Sequence, residues 1–187
     1  MKKLIALILA AIMCVCLVAC GGEAEQTFAP DTNGAGNPEF ATVVNELETL
    51  LAALKAGDEE TIIALSGSDA AREDELLLEM LVAMFSKLEY TVGNVTDNGD
   101  GTATVALDVS AVSVTSVFNE YMLEAAKHMD DDNWDADGAE FIKICGSDKV
   151  SKESKSIDVK LESDAGEWSV SEDNEELINA LFGGLIG

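Results

Sequence analysis

The sequence predicts an α+β domain in which N-terminal helices pack on a curved antiparallel sheet of two hairpins, with one helix inserted between the hairpins and another at the C-terminus. Three observations carry this. Apolar residues recur at helical spacing through the first half of the chain, two later pairs of segments alternate apolar and polar residues, and each pair is split by residues that tolerate positive φ.

The elements follow in order. Val43, Val44, Leu47, Leu50, Leu51 and Leu54 mark an amphipathic helix that Gly57 ends. Asp58 is placed to cap a second short helix through Leu65, with Glu59 and Glu60 at the positive end of its dipole. After the Ser66-Gly67-Ser68-Asp69 break, Leu77, Met80, Leu81, Met84 and Phe85 form a third stripe. Leu88, Tyr90 and Val92 then alternate up to the turn Asp97-Asn98-Gly99-Asp100-Gly101, and Ala103, Val105, Leu107, Val109 and Ala111 alternate beyond it. Val114, Val117, Phe118, Tyr121, Met122, Ala125 and Met129 return to helical spacing on one side, with Phe118, Tyr121 and Met122 expected to pack in the core. Past an acidic stretch and a short apolar segment from Phe141 to Ile144, Ile157, Val159 and Leu161 turn at Asp164-Ala165-Gly166 into Trp168 and Val170. Leu177, Ile178, Leu181 and Phe182 close the chain as a helix before Gly183-Gly184.

Ahead of the domain, Met1-Lys2-Lys3 precedes an uncharged apolar run from Leu4 to Val18, the layout of an export signal. The run falls short of the roughly 20 residues that span a hydrocarbon core. It ends in Leu17-Val18-Ala19-Cys20-Gly21, which resembles the lipobox of bacterial lipoproteins, where cleavage falls just before a cysteine already carrying diacylglycerol. The resemblance implies residues 1–19 as signal, Cys20 as the site of lipid attachment (palmitate or a similar acyl chain), and a place on the extracytoplasmic face of a cell membrane. Gly21 follows the cysteine in place of an aspartate that would argue for inner-membrane retention in a two-membrane cell, so the expectation is a Gram-positive surface. Residues 20–38 are rich in Gly, Pro, Asn and charge and read as a flexible, lipidated linker spanning roughly 25 Å. Residues 39–187 suit a single domain.

Cysteine and charge narrow the chemistry. Cys14 and Cys16 leave with the signal and Cys20 is acylated, so Cys145 is the one free thiol and stability must come from an apolar core. Removing Lys2 and Lys3 from the 11 Lys plus Arg leaves nine against 36 Asp plus Glu, a formal charge of −27. Phosphate backbones and anionic lipid surfaces repel such a polyanion, which excludes nucleic acid and leaves the lipid as the membrane contact. Cations, cationic peptides and basic patches on envelope proteins are the favourable partners.

The helix order, with Lys55-Ala56-Gly57-Asp58 opening the second helix, Val92-Gly93-Asn94-Val95 in the first hairpin, Gly166-Glu167-Trp168-Ser169-Val170 in the second, and the Leu177-Ile178-Asn179-Ala180-Leu181 tail, resembles uncharacterised Gram-positive lipoproteins of the nuclear-transport-factor-two-like superfamily. This resemblance implies a cone-shaped α+β fold with a cavity between sheet and helices. The superfamily includes both enzymes and binding modules, so function must come from the site.

Several residues could carry chemistry. Asn133, Asp135, Asp137 and Gly138 match the first half of a calcium loop, but its twelfth position is Ile144, so the bidentate carboxylate is missing and an acidic solvated loop (130–138) is the expectation, with no metal assigned. Trp134 in that stretch reads either as exposed or as a lid over the core. His128 and Cys145 are the sole base and thiol of a possible dyad, yet Cys145 sits in an apolar run and reads as a small core residue. No phosphate-cradling glycine loop or nucleophile elbow occurs, and no cofactor is implied. Tyr90 and Tyr121 are the pocket candidates, since a phenol in an apolar wall can orient a polar ligand. The expectation is a non-enzymatic module that binds a small ligand, peptide or envelope protein. The alternatives are a cavity enzyme, hydrolase or isomerase, using buried carboxylates, and a calcium-dependent surface module.

Overall fold

The computed structural model describes residues 38–66, 74–130, 134 and 138–184. The expected signal, lipobox and linker, with Cys20, lie outside the described residues, apart from Pro38. Pro38 opens helix α1 (Pro38–Ala56), where its fixed φ suits a first helical position and its missing N–H costs nothing. Phe40, Val43, Leu47, Leu51 and Leu54 are buried along one face, at the three- and four-residue spacing of the sequence pattern. Gly57 ends the helix at φ 77°, its N–H donating to the Leu54 carbonyl while the Asp58 N–H donates to Ala53, a Schellman closure that a left-handed residue makes possible. Asp58 then caps α2 (Glu59–Ser66), its carboxylate accepting from the Thr61 N–H at 2.9 Å. Hydrogen bonding from the Thr61 side chain, and then from this N–H, holds the Asp58 carboxyl below its ordinary range. Asp74 caps α3 (Glu75–Phe85), its carboxylate accepting from the Leu77 N–H.

Strands β1 (Glu89–Asp97) and β2 (Thr102–Val112) form the first hairpin. Asp97 accepts from the Gly99 N–H, and Asp100 accepts from the Thr102 N–H and hydroxyl, so both aspartates fold the turn back on itself. Between the Val92–Leu107 and Val95–Val105 pairs, Gly93 and Asn94 oppose Ala106 alone, a bulge that bends the edge strand. β3 (Lys152–Asp164) pairs antiparallel with β2 along the whole of Thr102 to Val112, and β4 (Glu167–Val170) completes the order β1-β2-β3-β4. The chain between β2 and β3 leaves the sheet as α4 (Val114–Ala125), a 3₁₀ turn (Ala126–His128) and α5 (Ala139–Cys145). Helix α6 (Glu175–Leu181) closes the fold.

The α+β class read from the sequence is the class observed. Ala103, Val105, Leu107, Val109 and Ala111 of β2, with Val159 and Leu161 of β3, face the buried sides of α1, α3 and α6 in one apolar cluster. The opposite face alternates out to Thr104, Ala106, Asp108 and Ser110 on β2 and Ser154, Ser156, Asp158 and Lys160 on β3. Asn174 joins α6 to the sheet: its amide donates to the Lys160 and Ser171 carbonyls and accepts from the Lys160 N–H at 2.8 Å. Phe40 packs on Trp168 at 4.7 Å, and the indole N–H donates to Glu39, fixing the start of α1 over β4.

Ala165, at φ 53°, occupies the left-handed corner of the β3–β4 turn, where a Cβ is strained. Ala165→Gly is therefore expected to stabilise the fold by about 0.5–1 kcal/mol after the glycine's extra unfolded-state entropy is deducted. Urea denaturation checks it through an increased midpoint at unchanged slope, and an unaltered or lower midpoint contradicts it.

Candidate functional site

The α4–α5 excursion builds a second, smaller apolar cluster beside the main core. Ser113 caps α4 by accepting from the Ser116 N–H, and the Ser116 hydroxyl accepts from the Ser151 N–H at 2.8 Å, which fixes the helix start to the entry of β3. Val117 then lies buried among Met84, Val112, Ile144, Cys145 and Val150. Tyr121 meets Phe141 edge-on at 5.0 Å, and Phe118 meets the same ring at 6.0 Å. Gly138 starts α5 in the left-handed region, φ 72°, and a Cβ there would fall 2.5 Å from Leu76 Cδ1, so glycine is required both by backbone and by space.

The expected core packing holds for Tyr121 and is corrected for Phe118 and Met122. At about 100° per residue, Val117, Tyr121 and Val114 fall within roughly 60°, the sector that meets the sheet end and α5. Phe118, Met122 and Met129 lie in the next sector and are exposed by 55%, 64% and 83%, with Leu123 exposed by 62% on their flank. The stripe is wider than the surface available to cover it. Four of the five large apolar side chains exposed among the described residues thus belong to this one segment.

Trp134 is a half-buried cover: it lies 5.4 Å from the Tyr121 ring and stacks on His128 at 5.1 Å with an interplanar angle of 6°. His128 is thereby engaged at the exposed end of α4, with Nε2 3.9 Å from Glu124. Cys145 is buried in the small cluster, and burial pushes its thiol up to about 11, the opposite of what a nucleophile near neutral pH requires. Maleimide labelling of Cys145 is expected to be at least about 100-fold slower in the folded protein than in denaturant, and equal rates would contradict its burial. The calcium-loop residues Asn133, Asp135 and Asp137 lie outside the described residues. Among the described ones, no three His, Cys, Asp or Glu side chains gather at metal-binding distance.

Tyr90 and Tyr121 do not meet. Tyr121 belongs to the aromatic cluster just described, whereas Tyr90 packs on the main core and borders a shallow groove of about 340 Å³ across β1, β2 and β3. Glu89, Thr91, Asp108, Ser110, Ser154, Lys155 and Ser156 give that groove its polar lining. Two pairs among these groups satisfy each other, Ser154 donating to Ser110 at 2.9 Å and Ser156 donating to Asp108, while Glu89 is paired from outside the lining by Lys152 at 2.6 Å. The Lys152 hydrogen bond and charge hold Glu89 below its ordinary range, away from the raised value a general acid needs. Glu46 on α1 is shifted up by burial, yet it does not line the groove. Burial, with the Glu48 charge adding, also raises the Tyr90 phenol.

The sequence named Phe118, Met122 and Met129 for their spacing but not for their exposure. Spacing alone reports a shared helix side and carries no signal of what covers it.

No family model matches the chain, and no curated protein matches it. Among solved structures, the lipoprotein candidate YcdA of Bacillus subtilis is similar at 12% identity and a TM-score of 0.45, over 78% of this chain and 50% of that one. The chain thus spans about half the length of that protein, a similarity too slight to assign fold family or role. Among the described residues, no helix is long and apolar enough to cross a membrane.

Proposed function

We propose that the protein is an extracytoplasmic lipoprotein, tethered through diacylated Cys20, whose single domain is a non-enzymatic binding module. The observation that carries the binding reading is the concentration of exposed apolar side chains, Phe118, Met122, Leu123 and Met129, on one helical segment of a fold whose other large apolar residues are largely covered. The tether reading rests on the Leu17-Val18-Ala19-Cys20 motif after an apolar run. The order of three helices, a hairpin, a helical excursion, a second hairpin and a terminal helix supports placing the domain in the cone-shaped, nuclear-transport-factor-two-like class.

The test uses the full chain expressed in its own host, with a photo-crosslinking amino acid placed singly at Met122 on α4 and at Asp158 on the outer sheet face. Binding predicts discrete adducts from at least one position. Silence at both, together with a hydrolase or isomerase activity removed by Asp108→Asn, would replace the module with an enzyme.

A further inference from the structure

Resting on the binding reading above, we infer that the exposed face of α4 docks a cationic amphipathic segment of another polypeptide, a helix with an apolar stripe flanked by Lys or Arg. Two features of the face define this occupant. The first is its apolar content: Phe118 and Met122 lie one turn apart, Leu123 flanks them, and Met129 extends the surface past the 3₁₀ turn. Unbranched thioethers adapt to ridges of varied shape, and helix-in-groove recognition reads anchors one turn apart.

The second feature is charge. In a chain of formal charge −25, the described residues from Val114 to Cys145 carry four acids, Glu120, Glu124, Asp130 and Glu140, against two lysines. Both lysines are already engaged, Lys127 with Glu124 at 2.6 Å and Lys143 with Glu140 at 2.9 Å. The remaining excess includes Glu120 on α4 and exposed Asp130 directly after Met129. A second copy of this chain would bring the same negative excess against itself, and an anionic lipid surface would do likewise. A basic amphipathic helix satisfies both features, apolar stripe on apolar face and cations on the acidic border.

The experiment uses the mature lipoprotein in zwitterionic lipid nanodiscs. The probe is an 18-residue Leu/Lys peptide with its leucines on one helical face, compared with a peptide of the same composition shuffled to scatter them. The amphipathic peptide is expected to bind at least about tenfold more tightly than the shuffled one, equivalent to about 1.4 kcal/mol. Met122→Gln/Leu123→Gln is expected to remove that advantage while leaving the salt-sensitive binding of the shuffled peptide and the thermal midpoint unchanged; both sites are exposed, so the fold is not at stake. Equal binding of the two peptides, or an advantage that survives the double variant, overturns the proposal. So does concentration-dependent self-association that the same variant abolishes, which would assign the face to a second copy. Crosslinks in cells at Asp158 but not Met122 would leave the binding reading standing and this assignment fallen, whereas silence at both removes the two together.

Discussion

Cys20→Ala is expected to abolish fatty-acid incorporation completely and to stop the appearance of the mature-size protein. On the proposed lipobox the cut falls directly before a cysteine that already carries diacylglycerol, so without the thiol neither the acyl chains nor the substrate for cleavage would form. The energetic consequence is large. Two acyl chains of ordinary length bury on the order of 20 kcal/mol of hydrocarbon at about 0.8 kcal/mol per CH₂, and the acidic domain has little attraction of its own for an anionic leaflet. Metabolic labelling with an alkyne fatty acid, followed by gel analysis, checks it. Cys14→Ala and Cys16→Ala should label as the parent does, and a labelled, cleaved Cys20→Ala protein would contradict the assignment.

Asn174→Ala is expected to destabilise the domain by roughly 2–4 kcal/mol. The side chain is buried and makes three hydrogen bonds, two of them to the N–H and carbonyl of Lys160 on β3. β4 ends at Val170, so beyond it Asn174 and the Ser171 N–H take over the pairing that a longer strand would have supplied to Lys160. Truncation strips the Lys160 N–H of this acceptor and the Ser171 carbonyl of its amide donor, and it loosens the start of α6 from the sheet. For a domain of this size the loss corresponds to a fall in thermal midpoint of roughly 5–15 °C. Calorimetry or urea denaturation measures it, and a change below about 0.5 kcal/mol would show that Asn174 is not what holds α6 in place.

Much of this architecture is legible in the sequence because its devices are local. Gly57-Asp58 both ends one helix and caps the next, and Asp97 to Gly101 carries the hydrogen-bonding side chains its turn uses. The alternation of Ala103 to Ala111 marks the inner face of β2 because that face alone is buried. What the sequence conceals is tertiary. β3 begins at Lys152, five residues before the first apolar residue of its pattern, because Lys152 to Ser156 pair with Val112 to Asp108 and contribute few apolar side chains to the core. The role of Asn174 in closing the sheet edge depends on a partner 14 residues away.

The candidate site was less legible than the fold for the same reason. Periodicity reports that Phe118, Met122 and Met129 share a side of a helix, but burial depends on how much neighbouring surface reaches that side. Val117 and Tyr121 use what α5 and the end of β2 provide, and the next sector is left uncovered. Likewise the sequence paired Tyr90 with Tyr121 as pocket residues by chemical type, whereas the fold places one against the main core and the other in the aromatic cluster of α4 and α5. Cys145 and His128 separate cleanly once their surroundings are known, the first buried and the second stacked on Trp134.

The most direct test of an anchored module is the mass of the N-terminal peptide of the mature protein, isolated from the membranes of its own host. The account predicts a peptide beginning at Cys20, heavier than its sequence by a diacylglycerol group and discharged of that mass by mild alkaline cleavage of its esters. A mature N-terminus at any other residue, or an unmodified Cys20, would contradict the proposed anchor and with it the proposed placement of this acidic domain at the membrane surface.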